Sequence, residues 1–270
     1  MRVLFCGDVV GKAGRQVVID NLPGLRERLD LDFIVVNGEN AAHGFGITER
    51  ICNTFYEAGA DAITTGNHVW DQREILKTID GDPKLLRPLN LPEGAPGRGV
   101  AFFEGRQGQK VMLIHPMGRL FMEAIDDPFA AVERELQNHR LGQSVDCIMV
   151  DMHAEATSEK MAMGHFLDGR VSMVVGSHSH VPTADAQILP GGTAFQTDTG
   201  MCGDYDSVIG MQKGEAMARF TSKLPGGRLE PASGEGTLCA VYVETDDKTG
   251  LARHVAPLRL GGRLAEHWPV

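Results

Sequence analysis

The sequence predicts a layered α/β fold, and three observations support this prediction. Short apolar runs rich in Val and Ile recur along the first two thirds of the chain. These runs are continuous rather than alternating in polarity, which is typical of strands that are covered on both faces. Stretches with helical spacing separate them, and strand–helix alternation of this kind favours a sheet flanked by helices.

The elements of this fold can be placed in order along the chain. The predicted strands are Val3–Cys6, Phe33–Val36, Ala62–Thr65, Val100–Phe103, Val111–Ile114, Cys147–Val150 and Val171–Val175. The predicted helices are Gly14–Asn21, Glu49–Ala58, Arg73–Ile79, Phe129–His139 and Glu159–Leu167. The second helix carries Ile51, Phe55 and Ala58 at helical spacing. Thr48 precedes it and is the expected N-cap.

The last third of the chain has a different pattern. Phe195–Thr197, Cys239–Glu244 and His254–Leu258 are predicted as strands joined by Gly-rich turns, which favours an antiparallel second sheet. Pro225–Gly227 and Ser233–Gly236 are predicted surface loops. The sequence has no internal repeat and no compositional break that would mark a linker, so we expect one domain over residues 1–270.

Composition and charge limit the classes of partner that the protein can bind. Asp and Glu number 36 against 26 Lys and Arg, which gives a formal net charge of −10. An acidic chain has no broad attraction for nucleic acid or for an anionic membrane. A phosphate substrate would therefore need local positive charge, and bound metal cations supply it.

The cysteines and the apolar runs bear on the cellular setting. The five cysteines are scattered and form no C-x-x-C pair, which argues against a disulfide framework and against a thiolate zinc site. A reducing, cytoplasmic setting fits this pattern best. The first residues do not resemble a signal peptide, and no apolar run approaches the ~20 residues needed to span a bilayer.

Polar residues cluster where the predicted strands end. In chain order they are Asp8, Glu39, Asn40, Asn67, His68, His153, His178 and His180. Ligands of α/β sheets bind outside the carboxyl ends of the strands, so we expect these side chains in one crevice. Carboxylates and imidazoles bind divalent first-row metals, and a carboxylate can bridge two ions. Two ions ~4 Å apart can clamp a phosphate and generate hydroxide at neutral pH.

Each of these residues also has an ordinary structural interpretation. Asp8 alone is typical of a turn or a helix cap, and His153 alone is typical of a buried core histidine. The pair His178 and His180, separated by one residue at a strand end, is more specific for a metal site. The full set, in this order and at successive strand ends, favours the metal site over the structural interpretation.

The motifs resemble those of the calcineurin-like metallophosphoesterase family. The order is Gly-Asp, Gly-Glu-Asn, Gly-Asn-His, a single His and then Gly-Ser-His-Ser-His, between Gly7 and His180. The sequence departs from the usual family pattern twice, with Val10 in place of a histidine and Glu39 in place of the bridging aspartate. Both departures, and the segment Asp198–Gly203, resemble the bacterial YmdB-like branch, which is described as acting on 2′,3′-cyclic nucleotides.

The resemblance implies a layered αββα sandwich, with two mixed sheets flanked by helices, that holds two metal ions. The implied ligands of the first ion are Asp8, Glu39 and His180. The implied ligands of the second ion are Glu39, Asn67, His153 and His178, with Glu39 bridging. Asn40 either binds the first ion or contacts the phosphate of the substrate. Iron or manganese is expected, and magnesium stays open.

The resemblance also implies a reaction. A metal-bridging hydroxide would attack the phosphorus of a small phosphodiester, such as a 2′,3′-cyclic nucleotide, in line with the leaving oxygen. His68 would contact the substrate and act as the general acid on that oxygen, a role that imidazole often has at neutral pH. Asp71 either orients His68 or caps the helix predicted at Arg73, and the sequence favours the cap.

Two other functions stay open at this point. One is a general phosphomonoesterase on the same fold, and the other is a regulatory metal- or nucleotide-binding protein with incidental hydrolysis. In each case the expected partner is a small phosphodiester or nucleotide, without a membrane partner or a broad nucleic-acid surface. The sequence leaves open whether the chain forms a homo-oligomer.

Overall fold

The computed structural model describes residues 1–222 and 226–269. Within them the strands are β1 (Arg2–Cys6), β2 (Asp8–Val9), β3 (Phe33–Asn37), β4 (Ala62–Thr64), β5 (Leu85–Leu86), β6 (Val100–Glu104), β7 (Lys110–Ile114), β8 (Cys147–His153), β9 (Met173–Ser177), β10 (Gln187–Ile188), β11 (Ala194–Gln196), β12 (Met201–Cys202), β13 (Leu238–Thr245) and β14 (Ala252–Leu260). The α-helices are α1 (Gly11–Arg28), α2 (Glu49–Glu57), α3 (Pro128–Leu136), α4 (Thr157–Leu167) and α5 (Lys213–Thr221).

The strands form two large mixed sheets and one short pair. The first sheet has six strands in the order β14-β13-β1-β3-β4-β5, and the second has six in the order β10-β11-β9-β8-β7-β6. The central strands of each sheet are parallel, and the antiparallel strands lie towards the edges. The short β2–β12 pair follows directly on the end of β1, close to where the carboxyl ends of the parallel strands meet.

Alternate side chains of the central strands enter different cores, which fixes the order of the layers. On β1, Val3 and Phe5 pack against the second sheet, in a core that includes Leu113 of β7. Leu4 of the same strand packs on the other face, with residues of α1 and α2 such as Phe55. A separate core lies between the second sheet and the helices α3 and α4. The layers are therefore helix, sheet, sheet, helix, and the αββα prediction is confirmed.

The prediction of a separate antiparallel sheet in the last third of the chain is wrong. β11 joins the second sheet, parallel to β9. β13 pairs antiparallel with β1 along the full length of β1, and β14 continues the first sheet beyond β13. The physical reason is edge pairing, because the edge strand of a sheet leaves its N–H and C=O groups open until another strand covers them.

Several helix boundaries also differ from the sequence prediction. α1 is 18 residues long and continues through Pro23, because Val18, Leu22 and Leu25 bury its apolar face on the first sheet. The helix predicted at Arg73–Ile79 is instead two short 3₁₀ segments, Arg73–Lys77 and Ile79–Gly81. The helix α5 was not predicted from the sequence, and the loop predicted at 225–227 begins outside the described residues. None of the helices in the described part of the chain has the length and apolar character needed to cross a bilayer.

Candidate metal centre

The predicted site residues come from the carboxyl ends of strands in both sheets. The first sheet supplies oxygen donors from the chain that follows β1, β3 and β4: Asp8, Glu39, Asn40 and Asn67. The second sheet supplies imidazoles from the end of β8 and from the turn after β9: His153, His178 and His180. The two sets face each other because the two sheets pack against one another with their parallel strand ends at the same side.

Four donor atoms converge around one buried point of this site. His153 Nε2 lies 3.1 Å from Glu39 Oε2, 3.2 Å from Asn67 Oδ1 and 3.2 Å from His178 Nδ1. Single donor atoms of Glu39, His153 and His178 all lie within 4.8 Å of one another. The side chains of Glu39 and His153 are almost fully buried, and that of His178 is 21% exposed.

Asp8, Asn40 and His180 lie beside this group. His180 Nε2 is 4.0 Å from Asp8 Oδ1 and 3.1 Å from Asn40 Nδ2. Asn40 Nδ2 also donates to Glu39 Oε2 at 3.3 Å. A half-turn of the Asn40 amide would present its oxygen to the same place, since the hydrogen-bond network alone assigns the two amide atoms.

Polar partners of the outer nitrogens of His180 and His178 leave the other nitrogen of each ring facing the site. His180 Nδ1 donates to the carbonyl of Ile209 at 2.8 Å, which leaves Nε2 towards Asp8. His178 Nε2 lies 3.2 Å from Glu155 Oε2, and its Nδ1 faces His153. Fixing the outer nitrogen of a histidine in this way is how metal-binding proteins orient their ligands.

His153 is oriented by a buried polar chain that the sequence analysis missed. Ser177 Oγ donates to Asp151 Oδ1 at 2.6 Å, so it accepts from His153 Nδ1 at 2.9 Å and leaves Nε2 for the site. Asn37 Nδ2 and His115 Nδ1 lie 3.2 Å from the other oxygen of Asp151. The available signal was the spacing of Asp151 and His153, two apart on one strand and therefore on one face.

The charges of the site call for a cation. Burial, and then the carboxylates of Asp198 and Glu39, raise the pKa of Asp8 well above its ordinary value. Burial would also raise the pKa of Glu39, but the imidazoles of His153, His68 and His178 around it together lower the pKa. Burial and the neighbouring His153 lower the pKa of His178 to about 3, so His178 is a neutral imidazole with a free lone pair.

Oxygen and nitrogen donors that face one another in this way fit metal ions. Carboxylate, amide oxygen and neutral imidazole are all ligands of first-row divalent metals. A bound cation would relieve the close approach of His153 Nε2 to His178 Nδ1 and would satisfy the buried carboxylates. Val10, at the place of the family's usual histidine, is buried in a small apolar cluster with Met201 and Met211.

The backbone of the site is under steric constraint. His178 and His180 have φ values of 94° and 65°, in the left-handed region that L-residues rarely adopt. Strained backbone of this kind persists where surrounding contacts fix it, and it is frequent at functional sites. Gly66 lies against the donors, because a Cβ there would be 2.2 Å from His153 Nε2 and 2.3 Å from Glu39 Oε1.

His68 lies at the edge of the donor group. Its backbone N–H donates to Glu39 Oε1 at 2.9 Å, and its side chain is 30% exposed. Its Nδ1 lies 2.9 Å from Asp71 Oδ2. The prediction that Asp71 caps the following helix is wrong, since Gln72 precedes the 3₁₀ segment and no side chain caps it. Asp71 orients His68 instead. The ring of Phe45 packs edge-on against the His68 imidazole, with 5.0 Å between the ring centroids.

Comparisons with known proteins agree with the geometry of this site. The chain is 46% identical over 92% of its length to a "2',3'-cyclic-nucleotide 2'-phosphodiesterase" of Bacillus subtilis, of which the match covers 93%. It is 34% identical over 96% of its length to a putative phosphatase/phosphodiesterase of Mycoplasma genitalium, of which the match covers 93%.

Two solved structures have nearly the same fold. A hypothetical protein from Thermus thermophilus superposes with a TM-score of 0.90 and 41% identity, covering 97% of this chain and 100% of the other. A novel phosphatase from Mycoplasma pneumoniae superposes with a TM-score of 0.90 and 33% identity, covering 97% of this chain and 93% of the other. A family model described as "YmdB-like protein" matches residues 4–258. With this match and these relatives, the chain belongs to the YmdB-like protein family.

Proposed function

We propose that this chain is a dinuclear metal-dependent phosphodiesterase that hydrolyses small phosphodiesters such as 2′,3′-cyclic nucleotides. The observation that carries the proposal is the convergence of oxygen donors from one sheet and imidazoles from the other in a largely buried crevice. The name of the Bacillus subtilis relative supports the substrate class.

The ligands divide into two sets that share one carboxylate. The first ion would be held by Asp8, Glu39 and His180, with Asn40 as a further ligand or as a contact to the phosphate. The second ion would be held by Glu39, Asn67, His153 and His178. Mixed carboxylate and imidazole ligation favours iron or manganese over magnesium, which prefers oxygen ligands.

Once bound, two such ions supply neutralising charge for the phosphate oxygens and lower the pKa of water enough to provide hydroxide at neutral pH. The protein's own contribution to bond cleavage is His68, whose Nε2 donates a proton to the leaving oxygen. Asp71 holds Nδ1 of this ring, so Nε2 is the nitrogen left for the substrate. The bond from the His68 backbone to Glu39 keeps the ring at a fixed position beside the donors.

A second candidate is a phosphomonoesterase, because the names of the Mycoplasma relatives give phosphatase beside phosphodiesterase. The two functions use the same donors and differ in whether the phosphate carries one ester or two. A third candidate is a regulatory metal- or nucleotide-binding protein, which would retain metal with incidental hydrolysis at most. One set of assays separates the three.

The test is hydrolysis of 2′,3′-cyclic AMP beside para-nitrophenyl phosphate and its bis ester. The protein is stripped of metal and reloaded with manganese, iron or magnesium. We expect metal-dependent cleavage of the diesters, and His68→Ala should reduce the rate by roughly 10²–10⁴-fold while its metal content stays unchanged. The control is His165→Ala, an exposed histidine of α4.

Other outcomes would change the conclusion. Cleavage of the monoester alone would identify a phosphatase. Metal binding without turnover of any substrate would contradict an enzyme and favour a binding protein. A His68→Ala variant with the wild-type rate would show that another group protonates the leaving oxygen.

Two further expectations stay predictions. One is a single domain over residues 1–270. The other is a cytoplasmic setting, with which the free, buried thiols of all five cysteines agree.

A further inference from the structure

The segment Asp198–Gly203, which resembles the same family, lies directly against the histidine turn. Within it, Met201 pairs with Asp8 through the short β2–β12 ladder. The backbone N–H of Met201 also donates to the carbonyl of His180 at 3.2 Å. The segment therefore touches the backbone of one ligand from each sheet, although none of its own side chains is in the donor set.

A carboxylate of this segment holds the residue between the two histidines. Asp198 Oδ2 accepts from the hydroxyl of Ser179 at 2.6 Å and from its backbone N–H at 3.2 Å. Asp198 Oδ1 accepts from the backbone N–H of Gly200 at 2.8 Å. One carboxylate thus joins its own loop to the centre of the His178–His180 turn.

A buried lysine also contacts this carboxylate and the hydroxyl of Ser179. Lys160 of α4 places Nζ 2.6 Å from Asp198 Oδ2 and 3.2 Å from Ser179 Oγ. The side chains of Lys160 and Asp198 are both 0% exposed. A fully buried lysine is rare, and a buried ion pair usually adds little stability over apolar side chains of the same volume. The contacts of this pair with Ser179 therefore indicate that its role is to fix the conformation of the His178–His180 turn.

The charge of Lys160 also matters to the neighbouring donors. Asp198 lies close enough to Asp8 to raise the pKa of that carboxyl, after the larger effect of burial. Lys160 pairs Asp198 with a positive charge inside the protein. Asp198 is thereby committed to the turn and does not compete with Asp8 and Glu39 for a cation.

We propose that Lys160 and Asp198 are positioning residues that hold Ser179, and through it His178 and His180, in the strained conformations that bind metal. The left-handed φ values of the two histidines need an outside constraint, and the Asp198 carboxylate supplies it at the residue between them. This inference rests on the proposed metal-dependent function.

The test measures metal affinity directly. Metal-stripped protein is titrated with Mn²⁺ and followed by calorimetry and by electron paramagnetic resonance, while circular dichroism and the melting temperature report the fold. Ser179→Ala keeps both charges and removes the hydroxyl, and we expect a 10–100-fold loss of Mn²⁺ affinity with an unchanged fold. Lys160→Met should lose at least as much affinity, and kcat should fall more than KM rises.

Two further variants keep the test decisive. Lys160→Met alone leaves Asp198 unpaired, so the double variant Lys160→Met with Asp198→Asn removes both charges and tests the geometry in a folded protein. Lys213→Met is the matched control, because it breaks an exposed pair with Asp206 at 2.9 Å. The control should bind Mn²⁺ as the wild type does.

The possible outcomes distinguish a failure of the positioning role from a failure of the proposed function. If the wild type binds Mn²⁺ and hydrolyses diesters, but Ser179→Ala and the double variant bind Mn²⁺ with wild-type affinity, the positioning role is overturned and the proposed function stands. If the wild type binds no Mn²⁺, iron or magnesium, the proposed function fails and this inference fails with it.

Discussion

A single methyl group at Gly66 should remove metal binding at the second site without unfolding the protein. The Cβ of Gly66→Ala would lie 2.2 Å from His153 Nε2 and 2.3 Å from Glu39 Oε1, whereas ordinary van der Waals contact begins at 3.4 Å. The backbone at Gly66 is outside the left-handed region, so alanine is compatible with its conformation. The three atoms nearest to the added Cβ all belong to the two donor side chains, His153 and Glu39.

The required movement can be compared with the tolerance of a metal site. To restore contact at 3.4 Å, His153 Nε2 or the methyl group must move by about 1.2 Å. Metal–ligand distances tolerate only ~0.2 Å, so a shift of this size removes His153 from coordination. Changes outside the ligand shell already cost roughly 10–100-fold in metal affinity, so displacing a ligand should cost at least about 100-fold, or ~2.7 kcal/mol.

The assay is calorimetric titration of metal-stripped protein with Mn²⁺, together with the metal content after dialysis. The matched control is Gly24→Ala in α1, where nothing lies within 4 Å of the added Cβ. That substitution should leave metal affinity unchanged and stabilise the helix by roughly 0.5–1 kcal/mol. A Gly66→Ala protein that binds two ions with wild-type affinity would refute the placement of His153 and Glu39 in the metal site.

Three further predictions concern the support of the site and of the fold. Ser177→Ala removes the acceptor of the His153 Nδ1 proton, so a Mn²⁺ titration should show metal affinity reduced by about 10–100-fold. An unchanged affinity would mean that Ser177 does not orient the imidazole of His153. Thr48→Ala removes the N-cap side chain that accepts from the Ile51 N–H. The free energy of unfolding should fall by about 1 kcal/mol, seen as a melting temperature lower by ~2 °C. Thr48→Ser keeps a hydroxyl at this position and should retain most of the stability. Adding Mn²⁺ at about 100 times its Kd to the stripped protein should raise stability by about 2.7 kcal/mol, or ~5–10 °C; an unchanged melting temperature would contradict a metal site joining the two sheets.

The proposed metal centre would join the two sheets, so a bound cation should influence stability as well as activity. Oxygen donors such as Glu39 follow strands of the first sheet, and imidazoles such as His153 belong to the second. A cation held between them would attract both sets of ligands at once. Removing it would leave the buried carboxyl of Asp8 and the imidazole of His178 without a compensating cation, and burial accordingly raises the pKa of Asp8 and lowers that of His178.

Much of this protein could be predicted from its sequence, because local patterns reflect local physics. Continuous apolar runs predicted the central strands of both sheets, and Thr48 was correctly placed as the N-cap of α2. The chemical types of the donors, and their positions after strands, could also be read directly, since the carboxyl ends of parallel strands meet at one edge. Short elements such as the 3₁₀ segments near Asp71 were misassigned, because a segment of only a few residues has a similar sequence pattern whether it forms a 3₁₀ helix or an α-helix.

Only the tertiary structure decided how the donors meet and what holds them. Pairing of β13 with β1, and of β11 with β9, depends on contacts between residues far apart in the chain, so no local pattern specifies it. The same is true of the chain from Ser177 through Asp151 behind His153, and of Lys160 and Asp198 beneath the histidine turn. Buried polar groups look like isolated residues in sequence, and folding alone brings each to the partner that compensates its loss of water.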